Sequence, residues 1–216
     1  RAGIVPPMRP RMSITIYGIA KSRAIRNLWA CEELGLTYTH APVVYGPEGS
    51  RKPDFLAINP NGRVPAADVD GVILWESLAI NLHLAKKAGG PLAPETVDED
   101  GLMTMWSMWA VTEVEAAALA LMQHETLKPV AERDPAVVAK STETLKAPLA
   151  VLEGHLASHG GYLVGNRFTI ADLNVAACVF YLRFSKLLAD KPAIKGWYEA
   201  AMARPAAKKA FALRGD

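Results

Sequence analysis

Apolar and polar positions repeat with two different periods along this chain, and the change of period divides it. Residues 13–17, Ser-Ile-Thr-Ile-Tyr, alternate and are β-branched, which predicts a strand closed by Gly18. After Ser22 the period lengthens. Ala24, Ile25, Leu28, Trp29 and Leu34 recur at helical spacing up to Gly35, which stands where a helix takes a residue just past its end. Residues 37–45, TYTHAPVVY, read as a second strand, 46–54 as a loop, and FLAIN as one helical turn. Ala66–Val69 and Val72–Leu74 flank Asp70-Gly71, a two-residue loop suited to a type I′ hairpin. Ser77 opens the helical run LAINLHLAKKA, which stops at Gly89-Gly90-Pro91. A crossover helix makes the first two strands parallel, and the hairpin is antiparallel by construction. A mixed four-stranded sheet with helices on its faces follows.

Residues 89–100, GGPLAPETVDED, read as a linker, and beyond them the period is helical throughout. A long periodic run fills 101–127. Another fills 135–160, with a bend expected at Pro148. Thr169-Ile170-Ala171-Asp172 has the form of an N-terminal capping box before LNVAACVFYLRF. PAIKGWYEAAMARP and AAKKAFAL finish the chain. The expected organisation is an α/β domain over 13–88, a linker over 89–100 and an all-helical domain over 101–216.

Composition narrows the class. With 216 residues, half of them apolar, the chain can bury a substantial core. A net charge of +2 gives no reason to expect a nucleic-acid partner. Cys31 and Cys178 lie far apart inside apolar helical patterns, with no metal-type spacing, so both read as buried, reduced thiols of a cytoplasmic protein. No apolar run reaches the roughly 18 residues a membrane helix needs. The opening RAGIVPPMRPRM has no long apolar core. It reads as an irregular leader before a start near Met12, not as a secretory signal.

Three places could carry chemistry. A proline at the start of a strand, Val64-Pro65, removes a donor at a sheet edge. If that bond is cis, the Val64 amide and carbonyl turn outward, able to pair with an extended peptide; otherwise Pro65 is an ordinary loop proline. Glu76-Ser77 begin a helix. The helix amides and Ser77 suit a carboxylate and Glu76 suits an ammonium, which together match an α-amino acid head group; the plain alternative is a helix cap. Ser22, ahead of the first helix, either caps it or donates to an anion such as a thiolate, with Arg23 and Arg26 adding positive potential or forming salt bridges. His155 and His159 have i, i+4 spacing without further ligands, a weak case for a metal. Trp106, Trp109, Met103 and Met105 form a stripe that reads as packing.

IYGIAKSRAIRNLWACEELGL, FLAINPNGRVPAADVDGVILWESLAINLHLA and GNRFTIADLNVAA together resemble the glutathione S-transferase family, in its bacterial, theta/beta-like branches, from about residue 13 onward. The resemblance implies a thioredoxin-like first domain with a cis Pro65 and a helical second domain. It implies that glutathione is the co-substrate, that its cysteinyl part pairs with the Val64 backbone, and that Glu76 and Ser77 hold its γ-glutamyl group. Lys52, or less favourably Arg51, would reach its glycyl carboxylate. Asp172 would be a buried structural acid. The thiol would be activated by Ser22, in preference to Tyr17. No cysteine stands near residue 22, which argues against thiol-type chemistry. The resemblance further implies a homodimer that conjugates the glutathione thiolate to an apolar electrophile in detoxification, with part of the Trp/Met stripe lining the co-substrate site. Its alternatives are a non-catalytic or regulatory glutathione-binding module, or a glutathione-dependent peroxidase or thiol transferase.

Overall fold

The computed structural model describes residues 12–215. The opening residues read as a leader lie outside them, apart from Met12. Four strands, β1 (Ile14–Tyr17), β2 (Thr39–Ala41), β3 (Ala66–Val69) and β4 (Val72–Trp75), form one sheet in the order β2-β1-β3-β4. β1 and β2 run parallel, and the other two pairings are antiparallel, as the sequence predicts. Asp70 and Gly71 take φ of 52° and 83°, the left-handed pair that a type I′ turn requires. The second strand is much shorter than predicted. Its ladder ends at Ala41, because Pro42 offers no amide to extend it.

Helix α1 (Ala24–Glu33) crosses between β1 and β2. Its end is a Schellman motif: the Leu36 amide donates to the Cys31 carbonyl at 2.9 Å and the Gly35 amide to Glu32 at 3.2 Å, with Gly35 at φ 64°. The short α2 (Pro53–Leu56) precedes β3, and α3 (Ser77–Ala88) follows β4. The next helix starts inside the stretch expected to be linker. Thr96 caps α4 (Val97–Trp109) by accepting from the Glu99 amide at 3.1 Å, and three acidic residues fill its first turn. The rod continues through a wide π turn (Ala110–Glu115) into α5 (Ala116–Met122). Then come α6 (Pro135–Ser158), which holds the buried Pro148 within it, α7 (Ile170–Val179), α8 (Pro192–Ala203) and α9 (Pro205–Ala212). This is a small mixed-sheet thioredoxin-like domain followed by a helical one. Among the described residues no helix is long and apolar enough to cross a membrane.

One apolar core runs from Ile14 and Ile16 of the sheet through α1 and α3 to α7. Where the halves meet, the core also carries a chain of buried amides. Asn27 Nδ2 donates to Asn81 Oδ1 at 2.7 Å, Asn81 Nδ2 to Asn174 Oδ1 at 2.8 Å, and Asn174 Nδ2 to Ser107 Oγ at 2.9 Å. Such bonds are directional, so they fix the relative seating of α1, α3, α4 and α7 more sharply than apolar contact does. The predicted capping box is present. Asp172 is fully buried and accepts from the Thr169 amide (2.8 Å) and hydroxyl (2.9 Å), the Leu163 amide (3.0 Å) and Trp197 Nε1 (2.9 Å). The C-terminal α9 returns to cover α1: Phe211 meets the buried Trp29 edge-on at 5.8 Å, and Arg204 at the start of α9 pairs with Glu33 at 2.7 Å.

Candidate functional site

Gly18 is where the ends of β1, α1 and the 59–65 loop converge. It takes φ 134°, and a Cβ there would lie 2.9 Å from Ala24 Cβ, 3.1 Å from Val64 Cβ and 3.3 Å from Ser22 Oγ. Only glycine lets Ser22 and Val64 approach this closely. The loop ahead of Val64 is held by the buried Asn59, whose amide donates to the Arg63 carbonyl at 2.7 Å and whose Oδ1 accepts from the Asn61 amide at 3.1 Å. The Val64–Pro65 bond is cis, as expected. Among the described residues nothing hydrogen-bonds to the Val64 amide or carbonyl.

Val64, Pro65, Glu76 and Ser77 line one cavity of about 530 Å³, within the size range of small-molecule sites. Arg23, Arg26, Arg63 and Glu115 add charge to its wall, and Leu82, Met108 and Val111 make an apolar side. Glu76 sits at φ 64° and ψ 109°, a conformation uncommon for a residue with a side chain. Backbone strain of this kind gathers at binding sites, where the surrounding structure holds it in place. Ser77 is buried at the first turn of α3, and its carbonyl accepts from Asn27 Nδ2 at 2.8 Å.

The other predicted residues lie elsewhere. Ser22 is buried but does not line the cavity; its Oγ donates to the Ile19 carbonyl at 2.7 Å and accepts from the Ala24 amide at 3.1 Å. It thus does cap-like work just ahead of α1. Tyr17 stands on the opposite face of β1 from Ile14 and Ile16. Its ring meets Phe55 edge-on at 6.3 Å, in a small cluster with Val64 and Ala66. Lys52 is exposed and pairs with Glu48 at 3.7 Å, away from the cavity. Its neighbour Arg51 packs over Gly62, so a Cβ on that glycine would fall 2.8 Å from Arg51 Nη1.

Sequence reasoning named Arg23 and Arg26 as a source of positive potential or salt bridges but missed Glu115, their shared partner in the charged wall. Arg26 is 2 % exposed and donates through Nη2 to Glu115 Oε1 at 2.9 Å and through Nη1 to Glu115 Oε2 at 3.2 Å. Nη1 also reaches Ser77 Oγ at 3.2 Å, and Nη2 reaches the Tyr181 hydroxyl at 3.4 Å. Arg23 bonds to the same Glu115. Burial works against the charge on Arg26, but Cys178, Glu115 and Tyr181 raise its pKa. Burial likewise works against ionising Glu115, yet Arg26 and Arg23 hold it low. The sequence signal was a pair of arginines three positions apart at the start of α1, just after Ser22.

Cys31 and Cys178 are free and buried, and burial pushes both thiols up to about 12. The rings of His155 and His159 stack at 4.1 Å, and each ring bonds to a backbone carbonyl. Met103 and Trp106 are buried, Trp106 against Trp109 at 5.1 Å, whereas Met105 and Met108 face outward.

Residues 12–86 match the N-terminal domain of glutathione S-transferases and residues 110–205 their C-terminal domain. Glutathione S-transferase 3 of Zea mays is 35% identical over 92% of this chain and 93% of its own length. The theta class glutathione S-transferase of Xanthomonas axonopodis pv. citri, solved with glutathione bound, is 31% identical with a TM-score of 0.81, covering 92% of this chain and 96% of that one. Glutathione S-transferase I from mais, solved with an atrazine glutathione conjugate, is 29% identical with a TM-score of 0.82, covering 94% and 98%. The chain belongs to the glutathione S-transferase family, enzymes whose co-substrate is glutathione. Its similar curated relatives are plant enzymes, which corrects the bacterial, theta/beta-like placement, although a bacterial theta-class structure matches comparably in fold.

Proposed function

We propose that this protein joins the thiolate of glutathione to an apolar electrophile. The observation that carries this reading is the gathering of Val64, Pro65, Glu76 and Ser77, which come from two separate stretches of chain, around one cavity. Glutathione lies along Val64 as an added strand, and its γ-glutamyl head sits against Glu76 and the first turn of α3. Lys52 or Arg51 meets the glycyl carboxylate; the packing of Arg51 over Gly62 favours Arg51. The thiol lies beside Ser22 at the start of α1. Lowering its pKa by roughly two units from about 8.5 makes the thiolate dominant at neutral pH. The sulfur then forms a bond to carbon as the leaving group departs with its electron pair. The apolar wall of Leu82, Met108 and Val111 supports an apolar co-substrate.

Tyr17 remains the alternative activator. A second reading, a glutathione-binding module without turnover, draws support from the Ser22 hydroxyl, whose proton is already given to Ile19. Detoxification in the cytoplasm by a homodimer completes the proposal, with domains over 13–88 and 101–216, except that α4 already starts at Val97, inside the 89–100 linker. Val72, Ile73 and Trp75 on the edge strand β4, and Leu102 and Met105 on α4, are exposed apolar residues suited to a second copy of the chain. Calorimetric titration with glutathione, followed by a conjugation assay on an activated aryl halide, tests the reading. Binding with product supports it, binding without product favours the module, and no binding removes both.

A further inference from the structure

The Ser77 hydroxyl is half used. Its oxygen accepts from Arg26 Nη1 at 3.2 Å, and among the described residues nothing accepts its proton. Ser77 is 5 % exposed and lines the cavity, so that proton is buried and has the cavity beside it. A hydroxyl that accepts from a guanidinium becomes a stronger donor, because the two bonds polarise each other. The acceptor it best suits is an anion. Arg26 has little freedom to do anything else. Its fork is closed on both Glu115 oxygens, and Asn27, the next residue of α1, holds the Ser77 carbonyl. Glu115 comes from the far half of the molecule, at the end of the π turn between α4 and α5. Wide turns of this type are common at functional sites.

We propose that Arg26 and Glu115 are positioning residues for the glutathione head group. Glu115, from the helical half, fixes the Arg26 fork, and Arg26 turns the Ser77 hydroxyl proton toward the α-carboxylate of the γ-glutamyl residue. Neither residue needs to touch glutathione. Arg23 and Arg26 share the single Glu115, and with Arg63 and Glu76 the wall carries three arginines against two carboxylates, so a ligand carboxylate also supplies negative charge that the wall lacks. This inference rests on the head-group reading of Glu76 and Ser77.

The test compares two ligands by isothermal titration: glutathione, and the analogue 4-aminobutyryl-cysteinyl-glycine, which lacks only the α-carboxylate. The parent protein should prefer glutathione by roughly ten- to a hundredfold, the worth of a hydrogen bond to a charged group. Arg26→Lys keeps a cation beside Glu115, but one ammonium cannot reproduce the fork that serves Glu115 and Ser77 together. It should cut that preference at least fivefold, with the loss falling on the KM for glutathione and not on kcat. In a Ser77→Ala background the same change should add almost nothing. A preference within twofold of the parent's in folded Arg26→Lys overturns the proposal. If Arg26→Lys does not fold, Glu115→Gln carries the test, with a drop of about threefold expected and an unchanged preference overturning it. If the parent binds both ligands alike and Ser77→Ala changes neither, the head group is not at Ser77, and the site reading falls together with this inference.

Discussion

Ser22 and Ser77 make an instructive pair. Both are 5 % exposed and both stand where a helix begins, yet their hydroxyls are used in opposite ways. Ser22 is closed on its own loop, donating three residues back and accepting from two residues ahead. Ser77 is gripped from outside, by a guanidinium 51 residues away, and its proton is free to go to a guest. A hydroxyl satisfied locally is first of all a structural cap, and any chemical duty requires it to release a partner. A hydroxyl held by a distant element and left half satisfied is arranged in advance for a ligand. On this view the head-group end of the site is preorganised, and the thiol end must rearrange when glutathione arrives.

Breaking the two serines one at a time separates these roles. Ser22→Ala should give the largest effect on rate, cutting turnover with a general electrophile by about ten- to a thousandfold as one donor to the thiolate is lost. Glutathione affinity should change little. The ultraviolet thiolate band of bound glutathione should move to higher pH, and an unmoved band would take the thiol away from Ser22. Ser77→Ala should do the reverse, lowering affinity by about ten- to a hundredfold in a calorimeter with the bound thiol's titration nearly unchanged. Glu76→Gly sharpens the contrast between strain and function. It should weaken binding roughly tenfold yet raise stability by up to about 1 kcal/mol, since glycine has no Cβ to strain at φ 64°, a gain that the greater freedom of glycine in the unfolded chain reduces. Lower stability in urea would mean that the Glu76 backbone is not strained.

A third helix start, at Thr96, serves as the control. Arg167 bonds to both oxygens of Glu99 and holds its pKa at about 2. A carboxylate depressed in the folded state stabilises above its unfolded pKa of about 4.5 and loses that contribution as the pH falls toward 2. Glu99→Gln should therefore cost at most about 1 kcal/mol at neutral pH, given how near solvent the pair lies. The difference from the parent should vanish between pH 4.5 and 2, with glutathione affinity untouched throughout. A gap that persists at pH 2 would assign the cost to lost packing. Tyr17→Phe should have the smallest effect, less than twofold on turnover, because its ring packs on Phe55. If it shifts the thiolate titration and Ser22→Ala does not, the two hydroxyls exchange roles.

What was legible in the sequence is what neighbouring residues decide among themselves. Asp70-Gly71, Gly35 and the Thr169–Asp172 box each announce one local geometry, and each adopts it. Val64-Pro65 and Glu76-Ser77 were visible for the same reason. Thr96-Val-Asp-Glu99 was equally local, an N-terminal box overlooked because the preceding Gly-Gly-Pro suggested that the linker ran on. The second strand was overread because the alternation from Thr37 to Tyr45 was followed past Pro42, which has no amide to give the ladder. Arg26 and Ser77 were visible singly, but their joining with Glu115 was beyond sequence reading in principle. Ser77 and Glu115 lie 51 and 89 residues from Arg26, and only the seating of α1 against two other helices makes them neighbours. The apolar wall of Leu82, Met108 and Val111 depends on the same seating.

The return of the last helix to the first sets a timetable for synthesis. Trp29 and Glu33 leave the ribosome early, but the residues that cover them, Phe211 and Arg204, come much later: Arg204 follows Glu33 by 171 positions. At about 5–20 residues per second, the face of α1 waits roughly 10–30 s for its lid. Throughout that interval the growing chain presents an indole and its apolar surroundings to solvent, a natural landing place for a chaperone. The thioredoxin-like half can pair its strands during the wait, but the surface beneath α9 closes only once α9 itself has been made.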